Sequence, residues 1–200
     1  MFIQKERCQQ GKGNAAVSRR YRRFGFFFAL LSCALTTSCA SAQELHKGLR
    51  EFELKMGYTR NILGRNDDLE LVNVLPTYGV FRSARTELLL EGTYFDARTP
   101  DSGTGIGAMG IVRYHLREDG KIIPFVQAGV GALYTDLDIR ELNGSFQFQL
   151  QTGVGVRFFL GRRTSLNAEA RFYHVSNAET KQPNIGVNAS QYLLGVSRFF

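Results

Sequence analysis

The chain has 200 residues, 44% of them hydrophobic, and a formal net charge of +7. Residues 1–42 carry seven Lys/Arg against a single acidic residue, Glu6, whereas residues 43–200 carry 18 Lys/Arg against 17 Asp/Glu. That near-balance excludes a nucleic-acid-binding body, and because Cys8, Cys33 and Cys39 all precede residue 43, it has neither a disulfide framework nor a thiolate metal site.

The first segment reads as a secretory signal peptide, residues 1–42. Arg19, Arg20, Arg22 and Arg23 form a basic cluster, Phe24 to Leu35 is a nearly continuous apolar run, and Ala40-Ser41-Ala42 supplies small residues for cleavage after Ala42. The run is too short for a spanning helix. Cys33 and Cys39 sit in imperfect lipoprotein boxes, and Ser18-Arg19-Arg20 touches the twin-arginine pattern; the small-residue site fits better than either. Residues 43–200 are then one domain.

From residue 50 onwards the hydrophobicity has period two, the signature of strands. The first strand is predicted over Arg50 to Thr59, with Phe52, Leu54, Met56 and Tyr58 opposing Glu51, Glu53, Lys55 and Gly57. After a polar loop, Asn61 to Asp68, the second covers Leu69 to Val80. The third covers Ala84 to Phe95, with Leu88, Leu90 and Tyr94 against Glu87 and Glu91. A loop at Asp96 to Gly103 leads to the fourth, Thr104 to Leu116, whose Arg113 and His115 oppose Val112 and Tyr114. The fifth, Lys121 to Thr135, and the sixth, Phe146 to Leu160, flank a loop at Asp136 to Ser145. The seventh, Thr164 to His174, is followed by a polar loop and an eighth, Ser190 to Phe200.

Eight long strands, apolar on one face and charged or glycine-rich on the other, predict an all-β protein: an eight-stranded antiparallel transmembrane barrel of the outer membrane. The longer loops follow the first, third, fifth and seventh strands, which puts both termini on the periplasmic side and the end of the seventh strand outside. A soluble lipocalin-like barrel is the alternative. It would leave Glu53, Lys55, Glu87, Glu91, Arg113, Glu169 and Arg171 all on the exterior, whereas the membrane reading packs them inside as ion pairs.

Chemistry concentrates at the end of the seventh strand. His174 and Ser176 are two apart, hence on one face of a strand, where a base and a hydroxyl form a nucleophile–base pair. They continue the parity of Leu166, Ala168, Ala170 and Phe172, the lipid-facing set. A polar pair facing lipid is costly unless it has a role, so the substrate it suggests is itself a lipid. A histidine in the headgroup zone of an ordinary barrel is the plainer reading. Elsewhere, His115 is expected to be a packed lumen histidine. Gly103, Gly105 and Gly107 lack the strand-to-helix context of a nucleotide loop, and no zinc or calcium spacing occurs.

His174-Val-Ser-Asn-Ala178 and Lys181-Gln-Pro-Asn-Ile-Gly186 resemble the PagL family of outer-membrane lipid A 3-O-deacylases. The resemblance implies a Ser–His–acid triad facing outward on an eight-stranded barrel, removing the acyl chain ester-linked at position 3 of lipid A without metal or cofactor. It makes His174 the catalytic histidine and Ser176 the nucleophile. Asn177 and Asn184 fall in the polar loop where oxyanion donors or loop support are expected. At the position of the family's acid this chain has Asn188. Glu179 is the alternative acid. The implied partners are lipid A or a related envelope lipid and the surrounding membrane lipids, with no nucleic acid. Self-association as a homodimer stays open, as do two other functions: a non-enzymatic structural or adhesion barrel, and an esterase for another envelope lipid.

Overall fold

The computed structural model describes residues 44–63, 70–99, 102–139, 142, 144–181 and 185–200. The expected signal segment, 1–42, and Asn184 lie outside the described residues. Eight strands, β1 (Arg50–Leu63), β2 (Glu70–Phe81), β3 (Thr86–Thr99), β4 (Gly103–His115), β5 (Ile122–Thr135), β6 (Phe146–Gly161), β7 (Thr164–Ser176) and β8 (Val187–Phe199), form one closed barrel in which each strand pairs antiparallel with its chain neighbours and β1 pairs with β8.

Closure follows from the alternation of side chains. On the outer wall Leu194 is 71% exposed, Ile106 66% and Val130 63%, while inside Arg113, Arg157 and Lys55 are fully buried. An apolar exterior of this extent has no stable place in water, and a ring of strands leaves no unpaired edge to expose to lipid. The lipocalin-like alternative, apolar inside and charged outside, is therefore the reverse of what the chain adopts.

The interior has three tiers. Leu45, Leu49, Phe81, Ile123, Phe159 and Phe199 form a buried apolar cluster at the end carrying the termini. Leu45 and Leu49 belong to the lead before β1, which folds under the barrel: Leu45 N–H donates to the Glu118 carbonyl, and Gly48 and Phe81 bond to one another's neighbourhood through Gly48 N–H to Phe81 O and Phe81 N–H to Leu49 O. At the opposite end Leu71, Phe95, Met109, Leu133, Leu137, Tyr173 and Val187 belong to a second apolar cluster.

Between them lies the ionic tier. Arg157 Nη2 meets Glu51 Oε2 at 2.7 Å, Arg113 Nη2 meets Glu169 Oε1 at 2.6 Å, and Lys55 Nζ meets Glu91 Oε2 at 2.6 Å. Arg171 grips Glu91 through both guanidinium nitrogens, at 2.7 and 2.9 Å. His115 is packed as expected, edge-on to Phe81 and stacked against Phe125. With charge pairs across the lumen and an apolar cluster above and below, the interior is a filled core rather than a channel.

The ends of several strands differ from expectation. Asn61 to Leu63, Asp96 to Thr99 and Val187 to Ala189 are polar or mixed stretches read as loop, yet they continue the ladder beyond the apolar band. The β3–β4 ladder runs as far as Ala97↔Gly103, so the expected loop there is mostly hairpin. Loop lengths consequently alternate less regularly than the sequence suggests: the connection at 162–163 is short and those at 136–145 and 177–186 are long, but 116–121, between β4 and β5, is not tight. Pro76 lies inside β2, where it removes a ladder donor. Its ring is accommodated by Gly92, where an added Cβ would stand 3.3 Å from Pro76 Cγ.

Candidate functional site

From Ser165 to Ser176 the β6–β7 register is unbroken. The two-residue alternation therefore persists to the end of β7: Tyr173 and Val175 are buried inward, and His174 and Ser176 are half-buried on the outer wall. No bulge turns the pair into the lumen.

His174 stands directly opposite Asn188 in the β7–β8 ladder. The ring Nδ1 is 2.8 Å from Asn188 Oδ1. An amide oxygen only accepts, so Nδ1 carries the proton and donates it, leaving Nε2 with its lone pair. The neighbours on β6 are apolar. Phe148 is the cross-strand partner of Ser176 and Leu150 that of His174, with the Phe146 ring edge-on to Phe148 at 5.3 Å. The pair is thus bordered by hydrocarbon on one strand and an amide on the other.

Gly186, the last residue before β8, sits against both side chains. Its φ is +72°, in the left-handed region that side chains other than glycine adopt at a cost. A Cβ there would stand 3.0 Å from His174 Cε1 and 3.4 Å from Ser176 Cβ. Glycine lets the returning backbone approach the ring and the hydroxyl-bearing carbon together.

The loop between β7 and β8 is tied to itself. Asn177, buried on the lumen parity, donates its Nδ2 to the Lys181 carbonyl at 2.8 Å. Thr180 donates its N–H and its hydroxyl to the Asn177 carbonyl at 3.1 and 2.8 Å. These bonds fold the turn tightly enough that Ala178 and Glu179 have φ of 50° and 64°, a left-handed pair without glycine. The Glu179 side chain is exposed. Lys181 packs over Gly144, joining this loop to the β5–β6 connection.

His174, Asn188, Ser176 and Gly186 are brought together; Glu179 is exposed on the turn; Asn184 is outside the described residues. Sequence reasoning gave no role to Gly186, Phe148 or Leu150, whose closeness depends on hairpin register. A concavity of about 580 Å³ does exist, but at the opposite end of the barrel, walled by the lead and two turns and far from this pair. Among the described residues no group of three or more His, Cys, Asp and Glu is placed to hold a metal ion.

The model of the family described as Lipid A 3-O-deacylase (PagL) matches residues 76–197, more than half of the chain. The chain belongs to the PagL family. Its membership agrees with an outer-membrane barrel and links the chain to a family of hydrolases. No curated protein matches it. Among solved structures, the crystal structure of the outer membrane enzyme PagL is similar at 18% identity and a TM-score of 0.57, over 72% of this chain and 97% of that one. Neisserial surface protein A is similar at 15% identity and a TM-score of 0.55, over 76% of this chain and 96% of its own. The N-terminal β-barrel domain of Pseudomonas aeruginosa OprF is similar at 17% identity and a TM-score of 0.51, over 77% and 98%. At these identities the likeness is one of fold: an eight-stranded outer-membrane-type barrel.

Proposed function

We propose that this PagL-family protein is a serine esterase that hydrolyses the acyl chain ester-linked at position 3 of lipid A, with Ser176 as nucleophile, His174 as general base and Asn188 as its orienting partner. The observation that carries the reading is the 2.8 Å contact between His174 Nδ1 and Asn188 Oδ1, one step along the outer wall from Ser176, in a chain whose family is defined by this deacylation.

The chemistry follows from that contact. With Nδ1–H bonded to Asn188, Nε2 is free to take the Ser176 hydroxyl proton as Oγ attacks the ester carbonyl carbon. The carbonyl π pair moves onto oxygen. When the tetrahedral intermediate collapses, the C–O bond to the sugar breaks and the leaving alkoxide takes the proton from Nε2. The acyl-enzyme then reacts with water, whose proton passes to Nε2 and returns to Oγ as the fatty acid departs. Asn188 holds the tautomer throughout, as asparagine does in Cys–His–Asn hydrolases, although a neutral amide stabilises the imidazolium less than a carboxylate would. Oxyanion donors belong with the loop amides and with Asn184; the Asn177 side chain, committed to Lys181 O, supports the loop instead. The outer-wall position suits a substrate whose ester lies at the membrane surface, at the long-loop end, with Phe148 and Leu150 beside the acyl chain.

The test is mass spectrometry of lipid A from cells carrying wild-type protein or Ser176→Ala. Wild type should produce a species lighter by one ester-linked acyl chain, and Ser176→Ala should reduce its rate by at least about 10³-fold while the barrel stays folded. Lipid A identical in the two, with both proteins folded, would reject the enzymatic reading in favour of a structural barrel.

A further inference from the structure

We infer that the end of the barrel formed by the β2–β3, β4–β5 and β6–β7 connections carries a docking ring for anionic phospholipid headgroups, distinct from the candidate esterase site at the other end and independent of it. The inference starts from where the charges lie. The β2–β3 turn exposes Arg82 and Arg85, the β4–β5 connection exposes Arg117 and Lys121, and the β6–β7 turn exposes Arg162 and Arg163. Three separate turns thus bring two cations each to one rim.

The strand ends and the lead add Arg50, Arg198 and Lys47, all exposed, so that nine cationic side chains face Glu44, Glu118 and Asp119 at this end. The balance is +6. At the opposite end the described residues outside the lumen include Arg60 and Lys181 against Glu70, Asp96, Asp136, Asp138 and Glu179, a balance of −3. Among the described residues, the rim around Phe200 is therefore positive and the opposite rim negative. Among the described residues, Arg85 pairs with Glu118 at 2.8 Å, whereas the two arginines of the β6–β7 turn make no ion pair.

The level of the ring along the barrel identifies its partner. Tyr78, Tyr114, Phe158 and Phe200 face outward at the same end, and the Tyr78 and Phe200 rings lie 6.4 Å apart. Aromatic side chains on the lipid wall mark the boundary of the hydrocarbon. The cations begin at that boundary: Lys121 Nζ lies over the Phe158 ring at 5.1 Å, and Arg198, on the outer face of β8, reaches Thr164 Oγ1 at 3.2 Å. Guanidinium groups immediately beyond an aromatic belt stand at the height of lipid phosphates, with which they form paired hydrogen bonds. A barrel's short turns and termini face the periplasm, where that leaflet is phospholipid, so the occupant is an anionic phospholipid of the phosphatidylglycerol type rather than the phosphorylated sugar of the outer leaflet.

Native mass spectrometry of the membrane-extracted protein, offered equal amounts of phosphatidylglycerol and phosphatidylethanolamine, tests this. Wild type should retain phosphatidylglycerol at least about threefold over phosphatidylethanolamine, and the preference should weaken as salt rises. The combined substitutions Arg82→Gln, Arg117→Gln, Arg162→Gln and Arg163→Gln should bring the ratio close to one, whereas Arg60→Gln at the other end should leave it unchanged. Should the fourfold variant not fold, the double variant Arg162→Gln/Arg163→Gln should lose about half of the preference. Equal retention of the two lipids by wild type, a preference untouched in folded ring variants, or a ring that binds peptidoglycan fragments or lipid A in preference to phosphatidylglycerol would each overturn the inference.

Discussion

His174 and Asn188 face each other across the β7–β8 ladder, and the imidazole Nδ1 donates to the asparagine side-chain oxygen at 2.8 Å. The contact favours Asn188 over Glu179, which is exposed on the left-handed turn, as the orienting partner in the proposed site. Asn188→Asp should therefore retain or raise esterase activity, because a carboxylate accepts the same bond and adds charge against the imidazolium. Asn188→Ala should lower the rate by about 10- to 100-fold, the range for losing an orienting partner, and Glu179→Gln should leave it near wild type. Lipid A turnover in one bilayer system measures all three. A normal rate for folded Asn188→Ala together with a severe defect in Glu179→Gln would transfer the role to Glu179.

Gly186 offers a sharper handle on geometry. Alanine there takes on a positive φ and puts a methyl group 3.0 Å from His174 Cε1. The ring must give by a few tenths of an ångström, at the end of a two-stranded ladder that fixes its backbone. Gly186→Ala should cut turnover by about 10-fold or more, since small displacements of a general base are expensive, and leave heat-modifiable gel migration unchanged because the residue lies outside the barrel wall. Wild-type turnover in the alanine variant would mean that the ring position is not critical.

The sequence displays the barrel's faces far better than its register. Charged lumen residues such as Glu53 and Arg113 alternate with Leu54 and Val112, so inside and outside are readable without any pairing information. The outward parity of His174 and Ser176 follows from the same alternation because β7 has no bulge near its end. What the sequence hides is everything that depends on how two strands slide. Asn188 is fourteen residues from His174, and only the hairpin register sets them opposite; the same holds for Phe148 beside Ser176. Strand ends were obscured for a different reason. Beyond the apolar band, ladders continue through short mixed stretches such as Asp96 to Thr99, and hydrophobic period gives no signal there.

The proposed orientation, with the long-loop end outside, is open to chemical labelling. Ser102 precedes β4 at that end and is exposed; Arg82 follows β2 at the other. The native cysteines all lie within residues 1–42, so once that segment is removed a single introduced thiol reports its own side. Ser102→Cys should react with a membrane-impermeant maleimide on intact cells, and Arg82→Cys only after the envelope is permeabilised. The opposite labelling would invert the barrel and move the proposed site to the periplasmic face.

The lumen network makes a stability prediction that involves neither site. Arg113 is fully buried, with Glu169 at 2.6 Å, Glu53 and Glu51 at 3.4 Å, and Gln127 accepting from its Nε at 2.9 Å. Its guanidinium also lies 4.2 Å over the Phe125 ring. Arg113→Met preserves much of the volume but leaves four carboxylates, Glu51, Glu53, Glu87 and Glu169, short of a counter-charge inside a closed barrel, and breaking a buried pair from one side costs about 3–5 kcal/mol. The temperature at which the folded gel band disappears should fall accordingly. Glu169 retains other partners, Arg171 and the Gln127 side-chain amide among them, so removing its charge as well should relieve part of the imbalance. Arg113→Met/Glu169→Gln should thus be more stable than Arg113→Met alone, with a coupling energy of about 0.5–3 kcal/mol in a double-mutant cycle. If the double variant is destabilised by the sum of the two single effects, Arg113 and Glu169 do not act as a pair, and the contribution of Arg113 is packing against Phe125 rather than charge.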